Sequence, residues 1–359
     1  MCEALTPCHP INCIVPPHLV ETLKLRGDDK IREMCAALEK HSADYRQSRS
    51  AAVPGAAALA GLQMAVAAAP VVVKPDREVY DAQNKARLPG VLERDETTGA
   101  SSDKAVNDAF NGAGDTFKLF WEVYGRNSLD GAGMTMVSTV HYRSGYNNAF
   151  WNGLQMAYGD GDGLIFRPFT GDRSVIGHEL SHGVVQFSGG LVYRDQSGTL
   201  NESFADVFGV LSVQYKKGQS ASEASWLVGD NLLGPGINGT ALRSMKAPGT
   251  AYDDPILGTD PQPYHMDLYV HTSSDNGGVH INSGIPNHAF YLLANYLGGQ
   301  AWETAGQIWY DTMQQLNSPT ASFADWADKT VEVAGATYGS GSMEQLFTRR
   351  AWRLVGISL

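Results

Sequence analysis

The residues densest in chemistry are Gly177-His178-Glu179-Leu180-Ser181-His182. On a helix, positions i and i+4 share a face, so His178 and His182 can offer both imidazoles to one metal ion. Glu179 stands one step round and reaches a metal-bound water rather than the metal. A third ligand is available at Glu202, within Asn201-Glu202-Ser203-Phe204-Ala205-Asp206. Catalytic zinc takes three protein ligands and keeps one position open, and two His with one Glu form such a set. Glu202 and Asp206 are again four apart and face the same way. Asp206 can then accept the second ring N–H of a ligating histidine, His178 first, which fixes the tautomer and raises basicity. The plainer alternatives are two surface histidines on a helix and a pair of acids favoured by a helix N-terminus.

Two helices must carry these ligands. Val175, Ile176, Val184 and Val185 give the first, over 174–188, a side to bury. The second is expected to start at Asn201 and run over 202–215. Length and period predict further helices over 285–297, 302–316, 323–338 and 343–354. Ahead of Asp172, short apolar runs at 71–73, 134–142, 154–158 and 164–166 alternate with Gly, Asn and Asp and read as strands. One helix is expected there, near 103–124. The fold class is therefore α+β: a β-rich lobe over 71–173, a helical lobe over 174–359, and a cleft between them with the metal helix at its floor.

With the zinc motif and its third ligand in place, the chain resembles the thermolysin-like zinc metalloproteases. The spacing to Glu202 favours them over the aminopeptidases of the same superfamily. The resemblance covers about residue 71 to the C-terminus and implies a two-lobed zincin. Gly145-Tyr146-Asn147-Asn148-Ala149-Phe150-Trp151-Asn152-Gly153 is similar to the family's edge-strand block. It implies that the Asn148 side chain and Ala149 backbone hold the substrate main chain by strand addition. Tyr193 matches the family tyrosine that stabilises the oxyanion. Arg243, in Ala241-Leu242-Arg243-Ser244-Met245, matches the arginine that binds the substrate carbonyl. Asp275-Asn276-Gly277-Gly278-Val279-His280-Ile281-Asn282-Ser283-Gly284 implies His280 as second oxyanion donor, oriented by Asp275. Phe166, Phe169, Val175 and Leu242 are expected to line the pocket after the scissile bond, and the family implies a bulky apolar residue there. Each block has a bland alternative: a turn, a half-buried strand tyrosine, a surface ion pair or a structural histidine.

Calcium is expected to be absent. Carboxylates that bind it in the long-propeptide relatives fall here on Ser174 and Val213, which cannot do that work. Gly159-Asp160-Gly161-Asp162-Gly163 reads as a turn, because Leu164 stands where an EF-hand loop needs oxygen.

The front of the chain differs from the rest. It holds Cys2, Cys8, Cys13 and Cys35, so a disulfide framework for the main body is excluded. Free thiols from a reducing compartment, a metal clip, and a Cys13 thiolate on zinc are the available readings. Cys13-Ile14-Val15-Pro16-Pro17-His18-Leu19 resembles the proline-pair motif of the protealysin-like subfamily, which has a short propeptide and no calcium sites. The resemblance implies an inhibitory propeptide over 1–50 whose Pro16, Pro17 and Leu19 plug the cleft. His18 departs from the usual Pro-Pro-Leu or Pro-Pro-Tyr. A Pro cap on a helix over 19–40, interrupted at Gly27, is the alternative. Residues 51–70 are expected to be a linker and processing region.

Lys+Arg total 27 against Asp+Glu 38, which argues against nucleic acid as the main partner. Residues 51–73 carry no charge, but Ala, Gly and Pro dominate them, so no membrane helix is expected. No secretory signal is read at the N-terminus, so a cytoplasmic monomer or one exported by a leaderless route is expected. The reading is a self-inhibited zinc endopeptidase acting on proteins or peptides. An inert zincin that only binds, and a stable zymogen that binds a partner until triggered, are the competing readings.

Overall fold

The computed structural model describes residues 12–50 and 73–359, with the side chains of 41–50 left out. The expectations for Cys2 and Cys8, for Val71 and for the linker 51–70 lie outside the described residues. The front segment forms strand β1 (Asn12–Cys13), helix α1 (Pro17–Arg26) and helix α2 (Asp29–Ser50). Pro16 caps α1 with extended backbone and Pro17 occupies its first turn, where a missing N–H costs nothing. Gly27 ends α1, at the interruption read from the sequence.

Strands β2 (Arg77–Asp81) and β3 (Val91–Arg94) follow, then helix α3 (Lys104–Lys118), which widens into a π-turn over Leu119–Val123. Asp103 caps α3 by accepting from the backbone of Ala105 and Val106. Strands β4 (Met136–Val140), β5 (Ala149–Trp151) and β6 (Met156–Tyr158) complete a mixed sheet ordered β1-β5-β6-β4-β2-β3. The front segment thus supplies the outermost strand beyond β5. No apolar run marks β2 and β3 in the sequence: charged residues interleave with their apolar ones, and only Val79 of β2 is buried. Val73 lies outside any strand, and the expected strand at 164–166 is reduced to one bridge between Phe166 and Leu233.

Helix α4 (Arg173–Gln186) opens the helical lobe, capped by the Asp172 carboxylate on Ser174 and Val175 N–H groups. Helix α5 (Asp195–Lys217) starts at Asp195, earlier than expected, so Glu202 and Asp206 lie inside it rather than at its first turn. Its opening residues, Asp195-Gln196-Ser197-Gly198-Thr199, have no apolar period. They form helix because Ser197, Gly198 and Thr199 are buried against neighbouring segments. The hairpin β7 (Leu227–Val228) with β8 (Arg243–Ser244) and the hairpin β9 (Asp253–Asp254) with β10 (Gly258–Thr259) follow. Then come α6 (Asp275–Asn282), α7 (Gly284–Leu297), α8 (Thr304–Gln315), α9 (Phe323–Tyr338) and α10 (Met343–Leu354). Ser322 and Ser342 cap the last two.

Helices α4 and α5 cross where Gly177 meets Gly209. A Cβ on Gly209 would sit 2.6 Å from the Ser174 carbonyl oxygen and 2.9 Å from the His178 nitrogen. Only hydrogen side chains allow this approach, and it sets the depth at which the ligands face one another. Phe208 of α5, stacked on Phe204 at 4.3 Å, packs against Phe120 and Tyr310.

Candidate active site

The crossing brings three donors together. His178 Nε2 lies 3.0 Å from His182 Nε2 and 3.6 Å from Glu202 Oε2, and His182 Nε2 lies 3.4 Å from Glu202 Oε1. Ligands held roughly 2.0–2.1 Å from a tetrahedral zinc sit about 3.3 Å apart. All three side chains are buried, and Glu202 Oε2 has no hydrogen-bond partner. A buried carboxylate oxygen without a partner is costly unless a cation takes it. The donor set therefore fits zinc. It is also the one such trio among the described residues.

The far side of each ligand is held. His178 Nδ1 is 2.8 Å from Asp206 Oδ1, and His182 Nδ1 is 2.8 Å from Asn201 Oδ1. Arg243 grips Asp206 with two bonds, Nε to Oδ2 at 2.9 Å and Nη2 to Oδ1 at 2.8 Å. Asn287 donates to the same Oδ2 at 2.9 Å. Burial works against the charge of Asp206, but the Arg243 guanidinium outweighs it and holds the carboxyl well below its usual range. Burial lowers His182 to about 3, against the pull of Glu202, so the imidazole is neutral as a ligand must be.

Glu179 faces the same space. Its Oε2 accepts the Trp151 backbone N–H at 2.9 Å, and its Oε1 has no partner. Burial, then the nearby Glu202 charge, push its carboxyl well above the ordinary value. Across the site, His280 donates from Nδ1 to Asp275 Oδ1 at 2.6 Å, and its backbone N–H reaches Asp275 Oδ2 at 2.9 Å. Burial works against its protonation, yet Asp275 and then Glu202 outweigh it and raise His280 to about 9. Positive φ at Gly277 and Gly278 bends the chain so that Asp275 and His280 meet. Tyr193 lies 3.2 Å from His280 Nε2 and donates to Glu202 Oε1.

The front segment lies across these groups. Strand β1 runs antiparallel to β5, pairing Asn12 with Trp151 and Cys13 with Phe150. Ile14 N–H donates to Ala149 O at 3.2 Å, and Val15 N–H donates to Asn148 Oδ1 at 3.1 Å. Arg243 Nη1 donates to Ile14 O at 3.2 Å, and the Cys13 carbonyl lies 3.0 Å from His280 Nε2. The polar groups are thus occupied by Cys13, Ile14 and Val15, one step ahead of the proline pair. Pro16 and Leu19 are buried and Pro17 borders a cavity of about 350 Å³ beside Cys13 and His280. His18 Nε2 lies 3.3 Å from the Tyr252 hydroxyl, and burial lowers its pKa to about 4. Cys13 and Cys35 are in no disulfide, and Cys13 is not part of the ligand trio.

Phe166, Phe169, Val175 and Leu242 are all buried in the apolar core that also holds Ile14, with the two Phe rings 5.8 Å apart. The structure brings together every polar residue singled out from the sequence. Asn201, Asn287 and the Trp151 N–H were not singled out. An amide inside a largely apolar helix was the available signal for the two asparagines; a backbone donor leaves none. Asp160 and Asp162 lie in an irregular loop after β6, with the chain bending just beyond them at 163–165. Asp162 Oδ1 accepts from the backbone of Leu164, Ile165 and Phe166, and Asp160 pairs with His141.

Comparison with known proteins agrees with this geometry. Residues 69–186 match the model of the thermolysin metallopeptidase catalytic domain, and 189–357 that of its alpha-helical domain. An extracellular metalloprotease of Pectobacterium carotovorum subsp. carotovorum is 42% identical over 98% of this chain and 97% of its own. Protease PrtS of Photorhabdus sp. (strain Az29) is 50% identical over 79% of this chain and 76% of its own. Thermolysin of Alicyclobacillus acidocaldarius subsp. acidocaldarius is 41% identical over 77% of this chain, which spans about 50% of that relative. The solved precursor of protealysin from Serratia proteamaculans superposes with a TM-score of 0.85 at 42% identity, over 97% of this chain and 100% of that one. The chain belongs to the thermolysin-like M4 family of zinc metalloendopeptidases, in its protealysin-like branch.

Proposed function

We propose that the chain is a self-inhibited precursor that cuts peptide bonds on the amino side of bulky apolar residues. The observation that carries this is the seat of Cys13, Ile14 and Val15 on the site's own polar groups. Those residues stand in for a substrate, and the Cys13 carbonyl stands in for the carbonyl under attack. Zinc held by His178, His182 and Glu202 would polarise that carbonyl and bring a water's pKa to about 7.

The chain's own residues do the rest. Glu179 takes the water's proton and passes it to the leaving amine. His280 and Tyr193 donate to the developing oxyanion, with Asp275 keeping His280 protonated and aimed. Asn148, Ala149 and Arg243 hold the substrate main chain in register. Asp206 and Asn201 hold the ligand histidines. Phe166, Phe169, Val175 and Leu242 favour a bulky apolar side chain at the position that Ile14 takes here.

Residues 1–50 act as the inhibitor, with Pro16, Pro17 and Leu19 closing the cleft, and 51–70 is the region cut on activation. Calcium near the metal helix is not needed: the Ser174 hydroxyl donates to Asp172 at 2.6 Å and accepts the Gly229 N–H at 2.9 Å, doing the bridging instead. The enzyme works as a monomer on proteins or peptides. Among the described residues no helix is long and apolar enough to cross a membrane. The Pectobacterium relative is an extracellular metalloprotease, which favours an extracellular place of action here.

The test is hydrolysis of a quenched peptide with Phe or Leu after the scissile bond, by the zinc-loaded chain over time. Activity is expected to rise as the front segment is lost. Glu179→Ala should lower it by about 10²–10⁴-fold with zinc retained. Wild type that stays inactive after removal of the front segment would return the reading to an inert zincin.

A further inference from the structure

We infer that the Cys13–Ile14 peptide bond is itself a cleavage site, cut in cis by the active centre on which it lies. This rests on the protease reading above and adds the bond, the order of events and the products. An inhibitor can block a cleft in many ways, such as reversed chain direction or a side chain wedged on the metal. Here the blocking segment runs antiparallel to β5, and three consecutive residues each meet a separate polar group. The Cys13 carbonyl faces His280 Nε2 at 3.0 Å, the Ile14 carbonyl faces Arg243, and the Ile14 and Val15 N–H groups face Ala149 O and Asn148 Oδ1. Moving the chain by one residue in either direction would take the Cys13 carbonyl off His280 and turn Ile14 to the other face.

The atoms needed for the reaction converge on that bond. Glu179 Oε1 is buried and has no partner, while Oε2 is anchored on the Trp151 N–H. The anchored carboxylate therefore keeps one oxygen for a water's proton. The Ile14 nitrogen, held by its N–H on Ala149 O, is the leaving group of that bond. Water's oxygen bonds to the Cys13 carbonyl carbon, and the bond to the Ile14 nitrogen breaks. One proton of that water passes through Glu179 to the nitrogen. The water's second proton follows to the same nitrogen, so the products are a Cys13 carboxylate and an Ile14 ammonium group. The residue after the bond, Ile14, is bulky, apolar and wholly buried, which is the preference proposed for foreign substrates.

The consequence is activation in two cuts. The first frees residues 1–13, with β1, from the sheet edge. Residues 14–50 remain held by α1 and α2 until the region 51–70 is cut.

The experiment follows the full zinc-loaded chain by intact mass and N-terminal sequencing, with a quenched peptide as a separate report on catalysis. A new N-terminus at Ile14 should form with a first-order rate independent of protein concentration. Glu179→Ala should not form it. Ile14→Asp should slow it by about 100-fold, and Ile14→Leu should keep it within about threefold. A second readout needs no metal: in the zinc-free chain the Ile14 and Val15 amides should resist hydrogen exchange, and Ile14→Asp should remove that protection. If the peptide is cleaved while no Ile14 N-terminus forms at any time, the inference falls and the protease stands. A rate proportional to concentration, or unprotected Ile14 and Val15 amides in wild type, overturns it too. If neither peptide nor chain is cut, both readings fall together.

Discussion

The α4–α5 crossing and the β1–β5 edge meet at one site yet are built on opposite principles. The crossing is made of side chains on long buried helices, fixed by two glycines and by Asp206, Asn201, Asn287 and Arg243. The edge is two residues of strand, held mainly by backbone bonds and a few apolar side chains. A metal centre needs its ligands fixed before the metal arrives. A removable inhibitor needs a grip that fails once its connection to the body is cut. The same Arg243 serves both, with two bonds to Asp206 and one to Ile14 O.

The largest effect is expected where the crossing is tightest. Gly209→Val would drive a branched side chain against the Ser174 carbonyl and the His178 backbone, already 2.6 and 2.9 Å from a bare Cβ. Overpacking against backbone should cost at least about 3 kcal/mol, near the top of the usual range. Zinc stoichiometry should fall with the thermal midpoint. Normal zinc content in Gly209→Val would break the claim that this contact sets the ligand geometry.

Next comes Asn201→Ala. It removes the acceptor for His182 Nδ1 while leaving all three ligands in place. Zinc affinity should drop by about 10–100-fold with little change in fold. Equilibrium dialysis against a competing chelator measures it. Unchanged affinity would mean that the Asn201 contact does not orient His182 and that Asp206 on His178 is the one second contact that matters.

A smaller change is expected at the edge. Asn148→Ala removes the acceptor for Val15 N–H, worth about 1 kcal/mol net. In the zinc-free chain, hydrogen exchange at Val15 should rise about fivefold, which is that energy expressed as a rate. Amides of α4 should not change. Equal loosening of both regions would show that the edge and the crossing are one cooperative unit.

The two regions also differ in how far the sequence reveals them. His178, Glu179, His182, Glu202 and Asp206 are legible because helical spacing turns residue type into geometry. Helices α9 and α10 match their expected bounds because Ser322 and Ser342 cap clear apolar periods. The first turns of α5 were hidden, since their helicity comes from burial against distant segments. The β1–β5 pairing was hidden for a different reason. Cys13, Ile14 and Val15 engage the site through N–H and C=O groups that every residue carries, so no residue type marks the seat. The proline pair, which is visible, lies one step past it.

The smallest effect separates the regions by pH. His141 donates from Nδ1 to Asp160, 2.8 Å away, and from Nε2 to Asp103, 2.9 Å away, tying the start of α3 to the loop after β6. Hydrogen bonding to Asp160 raises its pKa from 6.5 to about 9, against partial burial. A group whose folded pKa is raised contributes its full stabilisation below pH 6.5, and that contribution is lost as pH rises through about 9. The same loop bonds the strand edge, through Gly159 N–H to Asn148 O at 3.0 Å and Gly161 N–H to Tyr146 O at 3.2 Å. Raising the pH from 7 to 10 should therefore loosen the Asn148 edge and the segment seated on it, while α4 and α5 keep their protection. Hydrogen exchange at the two pH values, corrected for the intrinsic rate, measures this. His141→Gln should remove the part of the difference felt at Gly159 and Gly161, and leave the part at Cys13 and Ile14 that comes from His280, which loses its proton near 9 beside the Cys13 carbonyl. A seat that stays equally protected at both pH values would leave the clamp confined to α3, and the edge would then owe its hold to the segment's own contacts.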